Sequence, residues 1–109
     1  MSMNDDRRGE GRKSANARGV VVAPGLELPC LIVDVSGSGM KLRLERGLAL
    51  PSPVQVIDVV AGTAQEVDVA WTKGLEAGVK RRGPPSALRG LTPSRLAAAR
   101  AAWLRAGGR

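Results

Sequence analysis

The sequence predicts a small all-β domain, a six-stranded antiparallel β-barrel that is followed by a C-terminal α-helix. Six short segments are either apolar throughout or alternate between apolar and polar side chains, and turns rich in Gly and Pro separate them. These segments are residues 20–22, 27–34, 40–45, 54–60, 66–71 and 75–79. Short strands at this spacing are typical of small antiparallel barrels and sandwiches. A chain of 109 residues can build one such domain with one modest core.

The composition divides the chain into three parts. Residues 1–17 are polar and charged with almost no apolar content, which predicts a flexible N-terminal arm. Residues 18–82 contain the predicted strands and form the barrel. Residues 83–109 begin with a Gly-Pro-Pro linker and continue into the predicted helix. The sequence therefore predicts one β-barrel with an arm before it and a helical extension after it.

Alternation within two of the strands predicts which side chains form the core. In residues 40–45, Met40, Leu42 and Leu44 are expected to face inward, with charged residues between them. In residues 66–71, the same alternation places Val67, Val69 and Trp71 inward. Because aromatic residues make up only 2% of the chain, the core is expected to consist of aliphatic side chains.

The C-terminal helix is predicted from its start signal and its spacing. Thr92 is a suitable N-cap and Pro93 fits the first helical position. Leu96, Ala99 and Trp103 recur at helical spacing, so they are expected to pack on the barrel.

Several classes of site are disfavoured by residue content. The chain has no His and one Cys, so it lacks the usual general base, the usual zinc ligand and any disulfide pair. We therefore expect no enzymatic activity and no cofactor. No apolar run is long enough for a membrane span and the N-terminus does not resemble a signal peptide, so we expect a cytoplasmic protein.

The net charge of +7 is unevenly distributed. Residues 80–109 contain eight basic and no acidic side chains, whereas residues 20–79 contain seven acidic and four basic ones. A mildly acidic barrel with basic flanks suits an anionic ligand, nucleic acid or an acidic partner. A helix whose basic residues are simply solvated is an equally good interpretation of the tail alone.

The turn at residues 34–39 is the main candidate site. It lies between two predicted strands and combines the carboxylate of Asp34, the hydroxyl of Ser36 and the flexible backbone of Gly37 and Gly39. Such a turn can present a carboxylate and a hydroxyl to a polar ring at the rim of a sheet. Its simplest alternative is a strand connection in which Asp34 bonds its own backbone.

A pair of arginines in the predicted arm is the second candidate. Arg8 and Arg12 are four residues apart, and Arg7 precedes them. Arginine can grip a phosphate through two parallel hydrogen bonds and can read the O6 and N7 atoms of guanine. Taken alone, these residues favour the simpler interpretation of solvated charges in an arm.

The order of these features resembles the PilZ domain family of bacterial cyclic di-GMP receptors. Arg8 and Arg12 match the family's arginine pair, and Asp34, Ser36 and Gly39 match its Asp-x-Ser-x-x-Gly turn. Trp71 and the following strand are also similar to the family's closing strands, so the resemblance covers most of the chain. One departure is the polar stretch at residues 13–17, where family members often enter an apolar strand at once.

The resemblance implies a single-domain receptor that binds cyclic di-GMP, changes conformation and signals to an unidentified downstream protein, in processes such as motility or biofilm formation. The implied ligand-binding residues are Arg7, Arg8, Arg12, Asp34, Ser36, Gly37 and Gly39. Two alternatives stay open: a small basic barrel that binds nucleic acid, and a PilZ-like scaffold that acts only through protein partners. The scarcity of aromatic residues for base stacking disfavours nucleic acid.

Overall fold

The strands of the computed structural model, which describes residues 13–109, form one antiparallel sheet. The described part of the chain begins with β1, and its last element is a helix, α1, that comes after a 3₁₀ turn at Ser94–Leu96. The strands are β1 Lys13–Ala23, β2 Leu26–Val35, β3 Gly39–Leu44, β4 Val54–Asp58, β5 Thr63–Lys73, β6 Glu76–Arg81 and β7 Ser86–Ala87, and the helix is α1 Ala97–Arg105.

Six of the strands close into a barrel. Their order is β4-β1-β2-β3-β6-β5, and β4 also pairs with β5, which joins the two ends of the sheet. The two-residue strand β7 lies outside this ring against the start of β5. The predicted six-stranded antiparallel barrel with a C-terminal helix is therefore confirmed. Closure also leaves none of the six strands with a bare edge.

Strand β1 begins earlier than the sequence predicts. Residues 13–17 fall within the stretch whose polar composition predicts an arm, yet they belong to β1, and Lys13 pairs with Val35. A strand ladder is made by backbone groups, so polar residues can enter it at the end of a barrel without an apolar face. Residues 1–12, including Arg7, Arg8 and Arg12, lie outside the described part of the chain.

The barrel interior is filled by aliphatic side chains from all six strands. Leu42 and Leu44 are buried and Met40 is partly buried, as predicted for residues 40–45. The buried set comprises Val21, Leu28, Cys30, Ile32, Leu42, Leu44, Val54, Val56, Val67, Ala77 and Val79. Even the thiol of Cys30 belongs to this core, where burial raises its pKa to about 12.

A second apolar cluster joins the helix to the outside of the barrel. Val20 and Ile57 pair across β1 and β4 and face away from the interior. Leu96, Ala99 and Trp103 cover them, which confirms the predicted packing face of the helix. The helix thus covers the outer wall at β1 and β4.

Several polar contacts fix the helix. The indole Nε1 of Trp103 donates to the carbonyl of Val59 at 2.8 Å. The guanidinium of Arg89 lies 5.4 Å from the centre of the same ring and donates to two carbonyls of the β4–β5 turn. Arg105 forms a paired interaction with the carboxylate of Glu27, at 2.5 and 3.0 Å. Within residues 13–109, no helix has the length and apolar content needed to cross a membrane.

Replacing Trp103 with Phe should destabilise the fold. The substitution leaves the buried carbonyl of Val59 without its donor, which costs about 1–3 kcal/mol. Urea unfolding followed by far-ultraviolet circular dichroism measures this loss. Trp71→Phe is the matched control, because the Trp71 side chain is 45% exposed, and it should change stability by less than about 0.5 kcal/mol. Equal losses in both variants would contradict this account of the helix.

The buried thiol of Cys30 should make stability fall at alkaline pH. Its pKa is about 12 in the folded chain and near the ordinary value of 9.0 in the unfolded chain. Between these values the unfolded chain releases a proton that the folded chain keeps, so the free energy of unfolding decreases as pH rises. Urea unfolding at a series of pH values across this range should show a shallower decline of the free energy of unfolding for Cys30→Ala, since the two chains differ only in the thiol. Parallel curves would show that the thiol does not contribute.

Candidate functional site

The turn between β2 and β3 is short and internally bonded. The backbone N–H of Ser36 donates to the carbonyl of Gly39 at 2.9 Å, so residues 37 and 38 form the tip. The Ser36 hydroxyl lies 3.3 Å from the N–H of Gly39 and 3.4 Å from its carbonyl. Ser36 therefore helps to hold the turn, in addition to its predicted contact with a ligand.

Gly39 is required where β3 approaches β6. A Cβ atom at this position would lie 2.2 Å from the carbonyl oxygen of Val79, well inside the contact limit for backbone atoms. Gly39 pairs with Lys80, and the backbone N–H of Arg81 donates to the carbonyl of Ser38 at 2.9 Å. The glycine of the predicted motif thus allows the turn to sit directly against the end of β6.

A β-bulge turns Asp34 to the outside of the barrel. Ile32 pairs with Leu42 and both are buried, but the register then shifts, and Asp34 pairs with Lys41. Without the extra residue Val33, alternation would direct Asp34 into the apolar interior. The bulge instead aligns the carboxylate with the outward-facing Lys41.

A second β-bulge turns Trp71 to the outside of the barrel. Val69 pairs with Val79, after which Ala70 is inserted and Trp71 pairs with Gly78. The prediction that Trp71 faces inward is therefore wrong, and its side chain is 45% exposed. Strict alternation cannot anticipate such a shift, since one inserted residue reverses the face of every residue after it.

The two bulges place Asp34 and Trp71 in one row across four strands. Asp34 pairs with Lys41, Lys41 with Gly78, and Gly78 with Trp71. The indole lies over Gly78, because a Cβ there would be 2.2 Å from the ring nitrogen. Lys41 is 3.5 Å from the carboxylate of Glu76. The row thus consists of a carboxylate, an ammonium group, a glycine gap and an aromatic ring.

This row lines a surface depression beside the turn. Its volume is about 390 Å³, and Asp34, Ser36, Gly39, Lys41 and Trp71 all contribute to it. Lys80 borders it at the end of β6. The structure therefore brings together the predicted residues Asp34, Ser36 and Gly39 and adds Trp71, Lys41 and Lys80, which the motifs do not include.

Arg81 and Gln65 support the turn from the other side. The guanidinium of Arg81 donates to the carbonyl of Ser36 from Nη2 at 3.2 Å and from Nε at 3.4 Å. Its Nη1 donates to Oε1 of Gln65, whose side chain is buried. The one sequence signal for this contact is the glutamine in β5. An arginine in a strongly basic chain does not by itself indicate a partner.

The first residues of β1 also lie next to this site. Lys13 pairs with Val35, and Ser14 pairs with Asp34, so β1 enters the barrel next to the candidate residues. Arg12 is the preceding residue in the sequence. The positions of Arg7, Arg8 and Arg12 themselves lie outside the described residues, so their part in the site stays a prediction.

Comparison of the chain with models of known protein families finds no match, and comparison with curated proteins finds none either. The functional assignment therefore depends on the residues at this site and on the motifs that precede it.

Two glycine substitutions should separate the roles of the close contacts. Gly39→Ala forces a Cβ against the backbone of β6, so it should lower stability by about 1–3 kcal/mol, the usual cost of overpacking. Gly78→Ala meets only the exposed indole of Trp71, which can swing away. It should cost less but change the near-ultraviolet circular dichroism of that ring. Urea unfolding of both variants checks the order, and a larger loss for Gly78→Ala would contradict it.

Proposed function

We propose that this protein is a cyclic di-GMP receptor without catalytic activity, in keeping with its resemblance to PilZ domains. The observation that carries this proposal is the pair of bulges that align Asp34 and Trp71 on the outer wall, beside the turn. A row that combines a carboxylate with an exposed aromatic ring suits a guanine base, which has both a hydrogen-bonding edge and a flat face.

The chemistry of each group matches one part of the ligand. The carboxylate of Asp34 can accept hydrogen bonds from N1 and N2 of guanine. The exposed indole of Trp71 offers a surface on which a base can stack, a contact worth about 1–3 kcal/mol in single-stranded nucleic-acid complexes. Lys41 and Lys80 supply positive charge near the depression for the phosphates.

The arginines of residues 1–12 complete the proposed site. Arg8 and Arg12, with Arg7 beside them, would grip the phosphates and the O6 and N7 edge of guanine. The entry of β1 beside Asp34 supports this, because Arg12 directly precedes Lys13 in the sequence. Ser36, Gly37 and Gly39 provide the turn against which the ligand would lie.

The output of the receptor would be a change of shape that a downstream protein detects. Binding would bring the arginine-bearing segment over the depression beside the turn, whose residues do not belong to the cluster that packs against the helix. We place this activity in the cytoplasm, with no cofactor and with cyclic di-GMP as the only small ligand.

Nucleic-acid binding by the basic tail is less well supported. Three of its arginines already have intramolecular partners: Arg89 and Arg100 donate to carbonyls, and Arg105 pairs with Glu27. The remaining alternative, a scaffold that acts only through protein partners, would leave the aligned carboxylate and indole without a ligand.

Cyclic di-GMP should bind to the full chain, and GMP, with one base and one phosphate, should bind far more weakly. Arg8→Ala and Arg12→Ala should each weaken binding by about 1.5–3 kcal/mol, the range for hydrogen bonds of charged groups. Neither should change the melting temperature without ligand. Isothermal titration calorimetry provides the affinities and the stoichiometry.

Arg46→Ala is the matched control for these substitutions. Arg46 is a highly exposed arginine just past the end of β3 that is remote from the turn, so its loss should not affect binding. If cyclic di-GMP produces no heat at high micromolar concentration, the receptor proposal is wrong. If Arg46→Ala weakens binding as much as Arg8→Ala, the loss of affinity reflects the change in net charge rather than a specific contact of Arg8 with the ligand.

A further inference from the structure

The peptide that joins Ser36 to Gly37 is held from inside the barrel. Its carbonyl accepts two hydrogen bonds from the Arg81 guanidinium, at 3.2 and 3.4 Å. In a planar trans peptide the N–H points opposite to the carbonyl. The N–H of Gly37 is therefore directed away from Arg81, and it has no partner within residues 13–109.

Arg81 reaches the turn from outside the depression. Along β6, Gly78, Val79 and Lys80 all contribute to the depression, and the next residue, Arg81, pairs with the inward-facing Val67. Arg81 is not among the residues that line the depression. A ligand held in the depression would thus not meet the guanidinium of Arg81.

Gln65 fixes the guanidinium in place. Its side chain is only 3% exposed, its Oε1 accepts from Nη1 of Arg81 at 3.2 Å, and its Nε2 donates to the carbonyl of Gly83 at 2.8 Å. Arg81 forms no ion pair within the described residues, whereas the neighbouring Arg82 lies 3.3 Å from the carboxylate of Asp68. The charge of Arg81 is therefore directed at neutral carbonyl and amide oxygens.

We propose that Arg81 is a positioning residue that sets the ligand affinity of the turn without touching the ligand. It orients the Ser36–Gly37 peptide so that the Gly37 N–H faces outward as a donor to an anionic oxygen such as a phosphate. The guanidinium also polarises this peptide, because a donor at the carbonyl strengthens the N–H at its other end. This inference rests on the proposed function for its ligand, but its effect on the free turn does not depend on ligand.

The test compares Arg81→Met and Arg81→Lys with Arg82→Met in the full chain. In the absence of ligand, the ¹⁵N and ¹H amide signals of Gly37 should shift in both Arg81 variants, and the Ser36 amide should exchange faster. Arg82→Met should leave both signals unchanged. Calorimetric titration with cyclic di-GMP should show affinity reduced by roughly 10- to 100-fold in Arg81→Met, the loss expected for hydrogen bonds of a charged group. Arg81→Lys, which keeps the positive charge on a single donor nitrogen, should recover part of that affinity. It also keeps the test valid if Arg81→Met unfolds.

The possible results separate this inference from the proposed function. If the wild-type chain does not bind cyclic di-GMP but the Gly37 signals still shift, Arg81 positions the turn and the receptor proposal is wrong. If the Arg81 variants lose affinity with unchanged Gly37 signals in the free protein, Arg81 contacts the ligand directly and the positioning role is refuted. Wild-type affinity in Arg81→Met also refutes it.

Discussion

The candidate site depends on the alternation of side chains in a closed barrel and on two interruptions of that alternation. In a strand, successive residues face opposite sides, and closure of the sheet makes one side the apolar interior. The extra residues Val33 and Ala70 each reverse the facing of the next residues in their strands. Both reversals bring a side chain of the candidate site, Asp34 or Trp71, out of the interior and onto the same row.

The bulges also explain why the row is continuous. The strands between them, β3 and β6, keep a regular register, with Lys41 opposite Gly78. The absence of a side chain at Gly78 lets the indole of Trp71 lie across β6 toward Lys41. A larger residue at that position would displace the ring, so the glycine contributes to the shape of the depression as much as the aromatic residue does.

The helix and the candidate site use different parts of the outer wall. Leu96, Ala99 and Trp103 cover β1 and β4, where Val20 and Ile57 point outward. The site occupies the part of the wall around Asp34, Lys41 and Trp71, and none of these residues belongs to the cluster that packs against the helix. The basic residues near the helix are largely engaged in its attachment, as the contacts of Arg89 and Arg105 illustrate. Part of the positive charge of the tail therefore serves to hold the helix on the barrel.

Much of the fold could be predicted from the sequence because its signals are local. Apolar alternation in residues 40–45, the Gly and Pro turns, and the helical spacing of Leu96 and Trp103 each depend on neighbours only a few residues away. The extent of β1 could not be predicted, since residues 13–17 are polar and are held by backbone pairing with β2. The short strand β7 was missed for the same reason.

The sequence by itself determined the barrel, the helix and the motif residues Asp34, Ser36 and Gly39, because composition and spacing carry that information. Only the tertiary structure decided that Trp71 faces outward, that Lys41 and Lys80 border the same depression and that Arg81 supports the turn. These relations join strands that are distant in the sequence and depend on register. A single inserted residue changes the strand register, and the local pattern of apolar and polar residues does not indicate where this happens.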